Sequence, residues 1–338
     1  MSTFININNL NTINAELSNY CNSACPMCPR FDTDLNLIKD ITNNSHTSLQ
    51  VIKNNIGSGV LSRLKRFYSC GVLGDGAMNP ECLEIFDYVR TTGADEVVLN
   101  TNGGLRNTEF WKGMAQTGTR VIFAIDGLED TNHLYRRNVK WNKVIENVES
   151  FIKAGGKAEW DFLVFKHNQH QIEQAEALAN KLGFKSFNRK DTTRWDDFDS
   201  DGNWMERESI KVDDYMLEKV ERKTESSLGS DGQAQKSKAS DPFTFETRKI
   251  TCWSFHNGKS EIYLAANGDV SPCCWLGDLK IHEAKNIIKD YTKININYDS
   301  LENILEGDFF NELANGIQGK REAHRLTTCY NTCGVVNA

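Results

Sequence analysis

The chain has 338 residues, of which 39% are hydrophobic and 25% charged, and carries a net charge of -7. Ten cysteines are too sparse for a disulfide scaffold, the acidic balance argues against a broad nucleic-acid interface, and no apolar run approaches the roughly 18 residues of a membrane span. The N-terminal MSTFININNLNTIN has no basic segment followed by an apolar core, so no secretion signal is expected and the chain reads as cytoplasmic, with its thiols reduced.

From residue 14 to 190, short β-branched or aromatic runs alternate with helical patterns, the signature of a parallel sheet with crossover helices. Six strands are predicted: 14–19, 66–72, 95–100, 120–126, 158–165 and 185–190. A helix is expected to open with Asn79 as N-cap and Pro80 at its first position, to bury Cys82, Ile85, Phe86 and Val89, and to stop at Gly93. Another spans 140–154, with Trp141, Val144, Ile145, Val148, Phe151 and Ile152 at helical spacing, ended by Gly155-Gly156. Right-handed crossovers between six parallel strands curl the sheet into a partial barrel whose working face lies where strands end and helices begin. Beyond it, residues 199–250 read as a linker containing a flexible loop at about 223–241, where KTESSLGSDGQAQKSKASD has little to bury. SEIYLAANGDVSPCCW then alternates around Asn267-Gly268, a tight-hairpin signal, and a short helix follows Ser300.

Seven of the ten cysteines fall into groups. Cys21, Cys25 and Cys28 lie in CNSACPMCPR, in the loop after the first strand and so on the working face. Three thiolates fill three corners of a four-iron cluster and leave one iron open to a ligand that is not protein. A structural zinc would instead need a fourth ligand, from Cys70 or a distant histidine.

Cys21-x3-Cys25-x2-Cys28 directly after the first strand of a βα series resembles the radical S-adenosylmethionine enzymes. The resemblance implies an open iron that chelates the amino and carboxylate groups of S-adenosylmethionine, reductive cleavage to a 5′-deoxyadenosyl radical, and abstraction of a substrate hydrogen. LGDGAMNP, residues 73–80, falls where the family holds the cofactor's amino group, so Gly74 and Asp75 are implied as cofactor contacts. NTNGG, residues 100–104, adds Thr101 and Asn102, and the end of the fourth strand adds Asp126. In HLYRRN, Arg136 or Arg137 is placed to reach the cofactor carboxylate. Met27 stands where the family usually has an aromatic residue near the adenine, and Ala124 where many relatives have serine.

Cys252-x15-Gly268-x4-Cys273 followed by Cys329-x3-Cys333 resembles the twitch module, a shortened relative of the SPASM domain. Four thiolates would close a second cluster, giving two 4Fe–4S clusters, one binding S-adenosylmethionine and one auxiliary. Four cysteines on a hairpin and a terminal loop also leave a zinc ribbon open. Cys274 is the alternative to Cys273, since successive strand residues face opposite sides. Cys70, on strand two, and Cys82, on a helix's apolar face, read as small buried hydrophobes.

The expected fold class is therefore α/β, a partial (β/α)6 TIM-like barrel over residues 1–198 with a small C-terminal α+β iron-sulfur domain over 251–338. Lys166, Asn168 and Arg194, on loops leaving strands five and six, are the candidate substrate anchors, and no catalytic side chain is assigned. The function read from the resemblance is an oxidoreductase or peptide-modifying enzyme that takes electrons from an external donor such as flavodoxin or ferredoxin. The alternatives are oxidation or rearrangement of a small anionic metabolite or nucleotide, and a non-catalytic iron-sulfur electron carrier or binding protein. With some 13 residues ahead of strand one, no leader-binding module is expected, so a peptide would meet the barrel directly or through a partner.

Overall fold

The computed structural model describes residues 5–32, 34–38, 45–192, 194–198, 204–220, 248–277, 287–317 and 326–336. The stretch expected to be flexible, about 223–241, lies outside them.

Six strands, β1 (Thr12–Ala15), β2 (Arg66–Ser69), β3 (Glu96–Thr101), β4 (Arg120–Ala124), β5 (Lys157–Leu163) and β6 (Ser186–Lys190), run parallel in the order β1-β2-β3-β4-β5-β6. The crossovers after β2, β3, β4 and β5 carry α1 (Cys82–Thr92), α2 (Thr108–Gln116), α3 (Trp141–Lys153) and α4 (Ile172–Leu182). This is the partial α/β barrel expected. In α3 the buried face is Val144, Asn147, Val148 and Phe151, and the helix ends where Gly155 takes φ +90°. Trp111, Phe123, Phe151, Trp160 and Phe184 interlock beneath it as edge-on and tilted ring pairs, fixing helices to sheet.

Two expectations are corrected here. The helix expected from Pro80 begins at Cys82; Asn79 Oδ1 still accepts from Glu81 N at 2.8 Å, but its Nδ2 donates to Leu17 O and Thr47 O, so Asn79 ties the β1 exit to the helix entry. Cys70 lies just past the end of β2, half-buried, and not within the strand.

Beyond β6 come two antiparallel ribbons, β7 (Asp196–Phe198) with β8 (Trp204–Glu206) and β9 (Ser209–Val212) with β10 (Tyr215–Glu218). Part of the expected linker is thus ordered structure on the working face. Ile210, Val212 and Leu217 pack with Met27, Cys25, Tyr135, Phe165 and Trp195 in a second apolar cluster. Arg137 pairs with Asp213 at 2.7 Å, and Tyr215 Oη donates to Leu134 O, pinning the ribbon to the loop after β4.

β11 (Arg248–Ile250), the hairpin β12 (Glu261–Leu264)–β13 (Val270–Ser271), the helices α5 (Leu301–Glu306), α6 (Asp308–Ile317) and α7 (Thr327–Cys333), and β14 (Gly334–Val336) form the small α+β unit. Gly268 N donates to Ala265 O and Gly268 takes φ +96°, the left-handed conformation the Asn-Gly signal foresees. Ser300 caps α5 by accepting from Asn303 N. The hairpin is continuous with the barrel: β12 lies parallel to β1 and extends one sheet to eight strands. Alternation along single strands says nothing of which edge a hairpin joins, so this union was not foreseen.

On the sheet face opposite the helices, Arg66, Glu96, Arg120 and Glu159 close one end of the barrel with ion pairs of 2.6–3.0 Å. The opposite end carries the loops that follow the strands.

Candidate functional site

β1 delivers the chain into the thiol loop. Cys28 N donates to Cys25 O, Phe31 N to Cys28 O, and Ala24 N to Arg137 O, which folds Cys21, Cys25 and Cys28 onto the mouth. Their sulfurs are met by donors. Ser23 N and Asn102 Nδ2 reach Cys21 Sγ at 3.4 and 3.6 Å, Arg136 Nη1 reaches Cys25 Sγ at 3.6 Å, and Ser23 Oγ lies 3.0 Å from Cys25 Sγ. Burial pushes the Cys21 and Cys28 thiols up, helped by Asp75 at Cys21 and by Cys25 at Cys28. Donors of this kind aimed at sulfur stabilise a thiolate, the form that binds metal, over a thiol.

Two buried carboxylates orient those donors. Asp75 accepts from Ala77 N at Oδ1 and, at Oδ2, from Thr101 Oγ1 (2.9 Å), Asn102 N (3.0 Å) and Asn102 Nδ2 (2.9 Å). Its burial raises it above the ordinary carboxylate range, against the pull of those bonds. Asn102 Nδ2 also meets Asn22 Oδ1 at 2.8 Å, so Asp75, Thr101 and Asn102 form one network ending on Cys21. Asp126, fully buried, accepts from Leu163 N at 2.7 Å and from Arg136 Nε at 2.6 Å. Burial raises it too, with Arg136 opposing. Arg136 thus spans Asp126 and Cys25.

Glycines let the loops approach. A Cβ on Gly74 would stand 2.0 Å from Ser18 O, so only glycine lets the segment after β2 lie against the β1 exit. Gly103, at φ +72°, turns the loop after β3, and Asn147 of α3 clamps it through Gly103 O and Leu105 O.

Met27 is buried in the apolar cluster beneath the β9–β10 ribbon, with its carbonyl 3.4 Å from Arg194 Nη1. Arg194 therefore lies over the thiol loop, beside Cys28. The two other candidate anchors already have partners within the chain. Asn168 is fully buried, its Oδ1 taken by Phe165 N and its Nδ2 by Asp126 O and Leu163 O. Lys166 pairs with Glu218 of the ribbon at 2.8 Å. Both are tied into the loops that follow β5.

In the C-terminal unit, Cys252, Cys273, Cys329 and Cys333 line one pocket with Ile250, Trp275 and Leu276. β11 pairs with β14, which carries Cys252 to Cys333, and α7 presents Cys329 and Cys333 one turn apart on one face. Cys252 donates to Cys333, holding Cys333 below the usual thiol range. Cys274 lies instead among Tyr68, Cys70 and Tyr263, on the barrel side. Among the described residues no three His, Cys, Asp or Glu side chains converge tightly enough for a single metal ion.

Sequence reasoning missed Glu16, Asn22, Ser23, Arg30, Asn132 and Tyr263. Arg30 Nη1 donates to Cys21 O at 3.3 Å and Asn132 Oδ1 accepts from Asp126 N at 2.9 Å. Glu16 carried a signal, a carboxylate within a predicted strand; Asn22, Ser23 and Arg30 sit in a loop, where polar residues are unremarked, Asn132 opens a short helical turn and Tyr263 lies on β12, where a tyrosine is ordinary.

The profile of the radical SAM superfamily matches residues 15–179, and that of the SPASM iron-sulfur cluster-binding domain matches 252–334. Streptococcus suis SuiB shares the fold at TM-score 0.59 and 13% identity, over 92% of this chain and 68% of that one. SuiB bound to S-adenosylmethionine gives 0.57 and 13%, over 95% and 72%. Histidine-tagged anSMEcpe with bound AdoMet gives 0.54 and 15%, over 90% and 79%. The aligned part spans 50% of anSMEcpe solved with AdoMet and the Cp18Cys peptide. No curated protein matches the chain. Fold and matched profiles together define an iron-sulfur enzyme built on a partial α/β barrel. The chain carries a radical SAM domain followed by a C-terminal SPASM-like auxiliary-cluster domain. No helix among the described residues is long and apolar enough to cross a membrane.

Proposed function

We propose that the chain binds two 4Fe–4S clusters and S-adenosylmethionine, and uses them to take a hydrogen atom from a peptide. The observation that carries this is the split of seven thiols into a three-thiol loop on the barrel mouth and a four-thiol pocket in the C-terminal unit. Cys21, Cys25 and Cys28 would hold the open cluster, and Cys252, Cys273, Cys329 and Cys333 the closed one. When bound, the open cluster with S-adenosylmethionine supplies a 5′-deoxyadenosyl radical. The residues' own work is positional. Asn102 and Arg136 aim hydrogen bonds at Cys21 and Cys25, which stabilise negative charge on sulfur. Gly74, Asp75, Thr101 and Asn102 shape the wall that would meet the cofactor's amino group, and Arg136 adds positive charge for its carboxylate. Met27 and the β9–β10 ribbon shield the thiol loop with apolar surface. The closed cluster, with no corner left for substrate, would pass electrons, received from an external donor such as flavodoxin or ferredoxin.

The peptide reading draws on SuiB, solved bound to its precursor peptide SuiA, a likeness of fold at TM-score 0.54 and 11% identity. The test is anaerobic turnover with dithionite and S-adenosylmethionine. Release of 5′-deoxyadenosine is expected, and its absence from fully loaded protein favours the non-catalytic carrier. Supplying a deuterated cell extract split by size then chooses the substrate: deuterium should enter 5′-deoxyadenosine from the peptide fraction, and entry from the small-molecule fraction would overturn the peptide assignment.

A further inference from the structure

One buried carboxylate has no part in the proposed chemistry. Glu16 follows β1 directly and is 1% exposed. Its acceptors are filled by four neutral donors: Val72 N at 2.9 Å, Leu73 N at 3.2 Å, Gly74 N at 3.0 Å and Tyr263 Oη at 3.0 Å. Three successive backbone N–H groups converging on one point form a nest, a concavity that selects an anion. A carbonyl or water could satisfy those donors with far less loss of hydration than an ionised side chain. Burial indeed pushes the Glu16 carboxyl up to about 7, more than the four bonds pull it down.

What the carboxylate gains is connection. Val72, Leu73 and Gly74 lead into Asp75, which holds Thr101 and Asn102 and, through Asn102, reaches Cys21. Tyr263 belongs to β12, whose partner strand runs into Cys273. Its ring cannot swing freely, because a Cβ on Gly277 would stand 2.4 Å from it, so the short helix after Cys273 packs on the ring. A shift of the hairpin therefore moves the hydroxyl, the carboxylate and the loop together.

We propose that Glu16 is a positioning residue and that the Tyr263 hydrogen bond couples the C-terminal hairpin to the glycine-rich loop of the S-adenosylmethionine pocket. This rests on the radical S-adenosylmethionine reading of that pocket. Coupling of this kind is reciprocal: cofactor binding stiffens the hairpin by as much as the hairpin strengthens cofactor binding.

The test uses the full chain, anaerobically reconstituted, with Tyr263→Phe, Glu16→Gln and the double variant. Tyr263→Phe keeps the ring and its packing and deletes only the hydroxyl. S-adenosylmethionine affinity is measured by equilibrium binding, and amide exchange is followed in residues 72–74 and 261–264 with and without the cofactor. In the natural protein the cofactor should slow exchange in both segments. In Tyr263→Phe only 72–74 should respond, with affinity lowered about three- to tenfold, and adding Glu16→Gln should cost less than the two separate losses combined. Unchanged affinity in Tyr263→Phe with a full hairpin response would overturn the coupling, as would strict additivity. Failure of the natural protein to bind S-adenosylmethionine would sink the reading of the pocket instead, and binding without any hairpin response would sink the coupling alone.

Discussion

Arg136 Nε donates to Asp126 Oδ2 at 2.6 Å, while its Nη1 stands 3.6 Å from Cys25 Sγ. One guanidinium thereby joins a carboxylate at the end of β4 to a sulfur in the loop after β1. Arg136→Ala would leave Asp126 buried and unpaired, so a loss of about 3 kcal/mol is expected in chemical denaturation. Arg136→Lys should recover part of the stability yet lack the second arm to Cys25, leaving the thiol loop's iron more easily lost to a chelator than the C-terminal iron.

Anaerobic reconstitution should load about eight irons per chain, as one open and one closed four-iron cluster require. Replacing Cys21, Cys25 and Cys28 together by Ala should halve the iron and abolish 5′-deoxyadenosine formation. Cleavage that survives the triple change, or four irons with zinc making up the rest in the natural protein, would contradict the assignment.

Glu16 predicts a pH dependence of stability. Its native carboxyl stands near 7 against an unperturbed 4.5, so between those values the folded state holds a proton that the unfolded state has lost. The contribution is fully present below about 4.5 and fades as pH rises through 7, roughly 3 kcal/mol in all. Relative to Glu16→Gln, which cannot ionise, the natural protein should lose stability with rising pH across that window. Parallel curves for the two proteins would refute the buried titration.

Asn168 and Lys166 separate architecture from binding. Asn168→Ala strands Phe165 N, Asp126 O and Leu163 O in a buried turn and should cost about 2–3 kcal/mol. Lys166→Ala removes a surface ion pair and should cost under about 1 kcal/mol, with substrate affinity unmoved. A large rise in substrate KM for Lys166→Ala would show it to be an anchor.

Gly74→Ala should be worse than its size suggests. The added methyl meets backbone, Ser18 O at 2.0 Å, and backbone there cannot rotate aside. Loss of S-adenosylmethionine binding with the C-terminal iron retained is the expected result, read by iron content and equilibrium binding.

The sequence by itself determined the alternation of strands and helices, because short continuous apolar runs and period-3.6 burial are properties of contiguous residues: Val97, Val98 and Leu99 of β3, or Val144 and Val148 of α3, announce themselves within one window. It likewise showed the two thiol groups, since cysteines clustered at these spacings have few other uses. Only the tertiary structure decided that β12 would lie beside β1, that Cys273 would face the other three thiols while Cys274 turned to Tyr68 and Cys70, and that Lys166 and Asn168 would be consumed by neighbours. The partners in those relationships lie tens to hundreds of residues apart: 52 between Lys166 and Glu218, 247 between Glu16 and Tyr263. Hydrogen bonds and ion pairs at such separations leave no periodic trace. They exist because the folded chain excludes water from a few polar groups, which must then find whatever partner the packing brings within reach.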